Sequence, residues 1–235
     1  MKSVITIFLL LLTTSVRAHY YVVCVGMSDY PGRQNDLRVS ANDAKAIQKL
    51  FSANGHSSVV CLINEKATVA AVRRTMTAVF GKANANDVVL FFFSGHGLPG
   101  GLSCFDGFLH YCEVATEMKR SKARTKIVIA DACYAGKMRN NGKSGSTTNT
   151  EGQNIMFFLS SRTNEKSLET KYANSLFTIF LERGLRGGAD ANRDRVITAK
   201  ELFDFVHTGV VRESINHQHP VMWGRFDQNM SVIKW

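Results

Sequence analysis

Val88-Val89-Leu90-Phe91-Phe92-Phe93 runs directly into Ser94-Gly95-His96-Gly97, and Ile127-Val128-Ile129-Ala130 runs directly into Asp131-Ala132-Cys133-Tyr134-Ala135-Gly136. Unbroken apolar runs rich in branched and aromatic residues read as strands covered on both faces, as in a parallel sheet. In an open α/β sheet, reactive groups gather outside the carboxyl ends of the strands. If the two runs are neighbours, an imidazole and a thiol meet there. A thiol beside an imidazole has a lowered pKa and supplies more thiolate at neutral pH. The pair suits a nucleophilic cysteine with a histidine to manage protons. His96 and Cys133 are therefore the catalytic candidates. Glycines beside His96 let the backbone turn sharply and approach a substrate. The Gly97 and Cys133 amides would then hold a developing oxyanion, each such donor being worth about 2.7–4 kcal/mol. A glycine turn or a buried structural cysteine explains either motif alone; both at strand ends in one chain favour chemistry.

The rest of the chain alternates in the same way. Strands are expected at Tyr20–Gly26, Ser58–Ile63, Asp87–Phe93, Lys126–Ala130 and Ile155–Leu159, with a final short one near Val221–Trp223. Helices are expected at Ala41–Ala53, Thr68–Phe80, Glu113–Ser121, Ser175–Arg183 and Thr198–Val211, with stops at Asn54-Gly55 and Arg183-Gly184. This alternation implies a mostly parallel sheet with helices on both faces. The chain has 235 residues, 45% of them hydrophobic, enough for one domain with a substantial core over residues 19–235. Val25-Gly26-Met27 lacks the further glycines of a dinucleotide-binding turn.

The two motifs together resemble the caspase-like cysteine peptidases, and among them the metacaspase-like bacterial proteins. The resemblance extends through Tyr21-Val22-Val23-Cys24-Val25-Gly26, Asp29-Tyr30-Pro31-Gly32, Asn35-Asp36-Leu37-Arg38 and Asn42-Asp43-Ala44, and on to Ser160-Ser161, Glu165 and Glu169. It implies a caspase-like sandwich, a mostly parallel six-stranded α/β sheet flanked by helices on both faces, and a Cys/His endopeptidase. It also implies a specificity pocket. Asp131 stands two residues before Cys133, on the same side of an extended strand; in metacaspases the acidic residue there lines the primary pocket. Asp43 matches a second acidic pocket residue, Ser94 the pocket serine, and Ser40 a position where a cysteine can stand. The implied substrates are proteins or peptides cut after arginine or lysine. Two carboxylates would bind such cations through charge-assisted hydrogen bonds. Asp131 capping a turn and Asp43 opposing a helix dipole are the plainer readings. Caspase-fold binding or regulatory proteins without turnover, and acyl transferases, are the alternative functional classes.

Residues 137–152 are polar and rich in Gly, Ser, Thr and Asn, a flexible loop by composition. In the caspase group this position is the linker often cut during activation, and here it carries Lys137, Arg139 and Lys143. Met1-Lys2-Ser3, the apolar Val4 to Leu12 and Val16-Arg17-Ala18 read as a secretory signal peptide cut after Ala18. Its apolar run is too short to span a membrane, and no other run approaches that length. An exported chain, periplasmic or secreted, is the expectation. Its net charge of +10 is scattered, with no basic stripe interleaved with aromatics, so nucleic acid is not the expected partner.

Of five cysteines, Cys24 and Cys61 fall in apolar runs and read as buried thiols. Cys104 and Cys112 flank Asp106-Gly107; a two-residue hairpin turn would pair Cys104 with Leu109, so no disulfide is assigned. The stretch from Asp190 to Glu201 has calcium-loop spacing, with candidate ligands Asp190, Asn192, Asp194 and Glu201, but Arg195 replaces the usual glycine. Thr198-x-x-Glu201 is also a capping box, the favoured reading. No cofactor is required for the chemistry. His207, His217 and His219 match no strong zinc spacing and read as surface or turn residues.

Overall fold

The computed structural model describes residues 17–132, 154–162, 165, 167–168, 170 and 173–235. The expected leader through residue 16, Cys133, the 137–152 loop and Glu169 lie outside the described residues.

In chain order the strands are β1 (Tyr20–Gly26), β2 (Ser57–Ile63), β3 (Val88–Gly95), β4 (Gly97–Leu98), β5 (Gly101–Ser103), β6 (Phe108–His110), β7 (Thr125–Ala132), β8 (Ile155–Leu159), β9 (Val196–Thr198), β10 (Val221–Arg225) and β11 (Ser231–Lys234). The helices are α1 (Ser40–Ser52), α2 (Val69–Phe80), α3 (Tyr111–Arg120), α4 (Leu176–Arg183) and α5 (Ala199–Glu213). Six strands form the main sheet in the order β10-β8-β7-β3-β1-β2, all parallel except β10, which runs antiparallel to β8. This is the expected caspase-like architecture.

The period-two alternation of the strands builds two cores. Val89, Phe91 and Phe93 face α2 and α3, packing with Val72, Met76 and Val114. Leu90 and Phe92 face α1, α4 and α5, packing with Ile47, Phe177 and Val206. Burying each such phenylalanine contributes about 1.5–3 kcal/mol. The Thr68, Ser175 and Thr198 side chains cap α2, α4 and α5, and Thr198 with Glu201 forms the expected capping box. Gly26 lets α1 close onto β1, since a Cβ there would lie 2.7 Å from both Ala44 Cβ and Ser40 O. That contact brings the first turn of α1 against the carboxyl end of the sheet.

Several boundaries differ from expectation. β3 and β7 continue through Ser94-Gly95 and Asp131-Ala132, because ladder pairing extends to Gly95 opposite Ala132. The expected two-residue turn near Cys104 is a four-residue loop: Ser103 pairs with Phe108, and Cys104 N donates to Gly107 O at 2.9 Å. Cys104 is buried, Cys112 exposed, and both are free thiols. Cys24 and Cys61 are register partners on β1 and β2, Cys24 fully buried and Cys61 partly so, and both are free. α4 ends at Arg183 with Gly184 as its C-cap, as expected. The chain continues through a wider turn, Gly184–Gly188, pinned by the buried Leu185, whose carbonyl accepts from Trp235 Nε1 at 3.0 Å. β10 completes the six-stranded sheet as expected, and a further strand, β11, follows and pairs with β9 outside it.

Candidate functional site

His96 follows β3 directly and is half-buried. Its main-chain N–H donates to the Tyr30 hydroxyl at 2.8 Å, and that hydroxyl donates to Ser103 O at 3.3 Å. The two rings lie 4.9 Å apart. Gly95 makes this approach feasible, since a Cβ there would stand 2.7 Å from the Tyr30 oxygen. The glycine thus admits a tyrosine, where sequence reasoning assigned it to substrate approach. Burial pushes the Tyr30 hydroxyl well above its ordinary range, so it stays protonated. His96 Nε2 lies 2.8 Å from Asn35 O. A carbonyl only accepts, so Nε2 carries the hydrogen and the neutral ring offers Nδ1 as its basic atom. Asn35 closes a short 3-10 turn, Arg33–Asn35, and the Asp36 carboxylate holds that loop by accepting from Tyr30 N at 3.0 Å.

Gly97 begins β4 opposite Leu102. Ser103 N donates to His96 O, which makes Gly97 and Leu102 a non-hydrogen-bonded pair and leaves the Gly97 amide outside the ladder. At the end of β7, Ser160 Oγ accepts from Ala132 N at 3.1 Å, and Ser160 N donates to Ala130 O at 3.0 Å. The segment after β8 thereby fixes the residue that immediately precedes Cys133.

The two candidate pocket carboxylates are buried together. Asp43, in the first turn of α1, accepts from Ser94 Oγ at 2.8 Å, Asn174 Nδ2 at 2.9 Å and Ser175 N at 3.0 Å. Asp131 accepts from the hydroxyls of Ser167 and Ser175, and from Thr178 Oγ1 at 3.0 Å. Burial, reinforced by the charge of Asp131, raises Asp43 to about 7. Burial raises Asp131 too, while hydrogen bonds from Ser167, Ser175 and Thr178 pull the other way. The pair therefore retains a proton near neutrality. Ser40, buried at the start of α1, joins Asp43, Ser94, His96, Asp131, Ser167, Leu168 and Ser175 around a cavity of about 60 Å³. That is space for about two water molecules.

A second cavity, of about 760 Å³, opens on the other side of His96 and is walled by Tyr30, Pro31, Leu98, Phe105 and Phe108.

The structure thus brings His96, Gly97, Ser94, Asp43, Asp131 and Ser40 to one end of the sheet. Sequence reasoning missed Tyr30 and Asn35 as partners of His96, and Ser167, Asn174, Ser175 and Thr178 as donors to the carboxylates. It also missed Gln218. That amide is fully buried, donates to Ser160 O at 2.8 Å and Ser167 Oγ at 3.3 Å, and accepts from Leu168 N at 3.0 Å.

The calcium candidates lie apart, between α4 and α5. Asp190 accepts from Asp194 N at 3.1 Å and Arg195 N at 3.0 Å; Asn192 accepts from Asp194 N at 2.9 Å. Asp194 accepts from Val196 N at 2.8 Å, and Glu201 from Thr198 N at 3.0 Å. Arg195 adopts φ 66°, the left-handed turn that glycine usually supplies. Arginine therefore makes the turn it was expected to disfavour. Among the described residues, no three His, Cys, Asp or Glu side chains are grouped to hold a metal ion. His207 lies within α5 and not in a turn, and His207, His217 and His219 pair with Pro220 O, Ser214 O and Glu165 Oε1. No helix among the described residues is long and apolar enough to cross a membrane.

The caspase domain family model matches residues 20–230. A search of curated proteins returns no match. Among solved structures, the chain is similar to protein GSU0716 from Geobacter sulfurreducens, with a TM-score of 0.67 and 16% identity over 89% of this chain and 94% of that one. It is also similar to Caspase-1 from Spodoptera frugiperda, with a TM-score of 0.65 and 15% identity over 90% of this chain and 88% of that one. At such identities the likeness is one of fold.

Proposed function

The chain belongs to the caspase domain family of cysteine peptidases, and we propose that it is an endopeptidase cutting after arginine or lysine through His96 and Cys133. The register of β3 and β7 carries this reading. Gly95 faces Ala132 at the ends of two adjacent parallel strands, and in sequence His96 follows the first and Cys133 the second. Such strands lie about 4.8 Å apart, and this pairing of the two strand ends supports a site shared by the two motifs.

The chemistry follows from that neighbourhood. The Cys133 thiolate attacks the scissile carbonyl, and the Gly97 and Cys133 amides receive the oxyanion. The imidazolium of His96 gives its Nδ1 proton to the leaving amine, while Asn35 O keeps the ring oriented. The thioester remains on Cys133. Nδ1 then takes a proton from water as it attacks the thioester, releasing the acid and restoring the thiolate and imidazolium. This cycle needs no metal or cofactor. Added calcium is expected to raise turnover only modestly, and a large saturable activation lost in Asp190→Ala would contradict this.

Asp43 and Asp131 supply the preference for a cationic side chain. The free cavity is too small for one. The entering guanidinium or ammonium takes over the carboxylate oxygens held by the Ser167 and Ser175 hydroxyls and moves Leu168 outward. We further propose that the chain is exported, with cleavage after Ala18, and meets its protein substrates in the periplasm or medium. Self-cleavage is expected after Lys137, Arg139 or Lys143; N-terminal sequencing of the incubated chain, with Cys133→Ala as control, checks it.

The test is turnover of internally quenched peptides by the purified chain, with Cys133→Ala and His96→Ala as controls. Loss of turnover in both variants with retained circular dichroism supports the dyad. Normal turnover in a verified Cys133→Ala preparation would exclude it. Peptide binding without turnover by the wild-type chain would favour a caspase-fold binding protein.

A further inference from the structure

We propose that the cleft walled by Tyr30, Pro31, Leu98, Phe105 and Phe108 receives the side chain that follows the scissile bond and selects a large apolar or aromatic one. The assignment rests on the peptidase reading of His96. Among the described residues, only His96 lines both this cleft and the Asp43–Asp131 cavity. The two lie on opposite faces of the sheet. Asp43 belongs to α1, and Asp131 accepts from Ser175 and Thr178 at the start of α4. The cleft is built on Tyr30, Cys104 and the β5–β6 loop, which pack with the α2 and α3 core. A histidine that protonates the leaving amine must sit between the acyl side and the amine side of the bond. With the acyl residue directed to the carboxylates, the chain beyond the cut passes His96 into the other cavity.

The chemistry of the walls sets the class of side chain. The cleft's volume of about 760 Å³ falls within the size range of ligand pockets, about 300–1,000 Å³. Leu98 is 46% exposed at its edge, an apolar surface that an apolar side chain would cover. Two of the polar groups on its walls are already engaged: the Tyr30 hydroxyl bridges His96 N and Ser103 O, and Asn35 O holds His96 Nε2. Burial raises the Cys104 thiol to about 12, so it is neutral there. The nearest hairpin carboxylate, Asp106, is committed outside the cleft to Val69 N at 2.8 Å. A charged side chain entering would lose its hydration without meeting an Asp, Glu, Lys or Arg among the described lining residues.

The experiment measures binding with the Cys133→Ala chain, by fluorescence anisotropy, using peptides identical through arginine and then carrying Phe, Leu, Gly or Glu. Phe and Leu peptides are expected to bind about 10-fold or more tightly than Gly and Glu peptides. Leu98→Ser in the same background should shrink that ratio to about 3-fold or less, and this half-exposed position is a safe one to change. Equal affinities across the set, or an unchanged ratio in Leu98→Ser, would overturn the assignment. Turnover by the wild-type chain is read separately. Turnover with a flat ranking refutes the cleft and leaves the peptidase; ranked binding without turnover refutes the peptidase and leaves the cleft.

Discussion

Asp43 and Asp131 are joined through one residue: Ser175 donates its main-chain N–H to Asp43 Oδ1 and its hydroxyl to Asp131 Oδ2. Ser175 is also the N-cap of α4. The start of that helix therefore holds both carboxylates, one arriving from α1 and one from β7. Two buried like charges raise each other's pKa. A cation between them would release the shared proton, so the proposed binding of basic side chains would be linked to proton release.

That linkage is expected to show in substrate choice. For a matched peptide ending in arginine, KM should fall as pH rises through about 7, where Asp43 ionises. Asp131→Asn should reduce arginine selectivity over leucine about 10- to 100-fold, the worth of one or two charge-assisted hydrogen bonds. Steady-state kinetics on Arg, Lys, Asp and Leu peptides decides it. Preference for aspartate, or unchanged selectivity in Asp131→Asn, would remove the carboxylates from the pocket.

The same shift has a stability sign. The folded pKa of Asp43 lies above its ordinary value, so the fold favours its protonated form. The associated stability is fully present below about 4 and is lost as pH rises towards 7. Asp43→Asn stays neutral and keeps an oxygen for Asn174 and Ser175. The melting temperature of Asp43→Asn minus that of the wild type should therefore grow between pH 4 and 8. A difference that stays constant across that range would mean that Asp43 does not titrate there.

The sheet was legible because its strands are apolar on both faces, and the runs that precede the two motifs pair side by side, Gly95 opposite Ala132, at the carboxyl edge. The second row of the site was not. Ser167, Ser175 and Gln218 carry no periodicity and no charge, and a serine between helices usually reads as a turn or cap. Their partners, Asp131 and Ser160, are remote in sequence, so only tertiary packing identifies them. Tyr30 was visible within a family-like stretch. Its purpose depends on the missing Cβ at Gly95, which sequence reasoning assigned to the substrate.

Tyr30→Phe tests that purpose. It removes the hydroxyl that accepts from His96 N and leaves the ring. An unsatisfied buried N–H costs about 1–3 kcal/mol, and a slightly displaced imidazole transfers protons less well. With peptides carrying glycine after the cut, kcat should fall about 10-fold while KM stays within about 2-fold. A raised KM with unchanged kcat would make Tyr30 a cleft wall and no more.

The cleavage proposed after Ala18 falls beside a carboxylate. His19 N donates to Asp87 Oδ1 at 3.0 Å, and Asp87 Oδ2 accepts from Asn84 N at 2.7 Å. His19 O in turn accepts from Val88 N at the start of β3. Cleavage after Ala18 would convert that amide into an α-ammonium without moving it, and a neutral donor would become half of an ion pair with a nearly buried carboxylate. An α-amine gaining such a partner has a raised pKa when folded. Its stability contribution is then present below its ordinary value near 8 and is lost as pH rises through the higher folded value. The chain purified from an exporting host should begin at His19 by N-terminal sequencing. Its melting temperature at pH 7 should exceed that of the same chain acetylated at His19, by an amount that vanishes in Asp87→Asn. Breaking a charge-assisted hydrogen bond costs about 1.5–3 kcal/mol, or a few degrees for a domain of this size. A mature terminus elsewhere would refute the cleavage site, and equal melting of the free and acetylated chains would refute the ion pair.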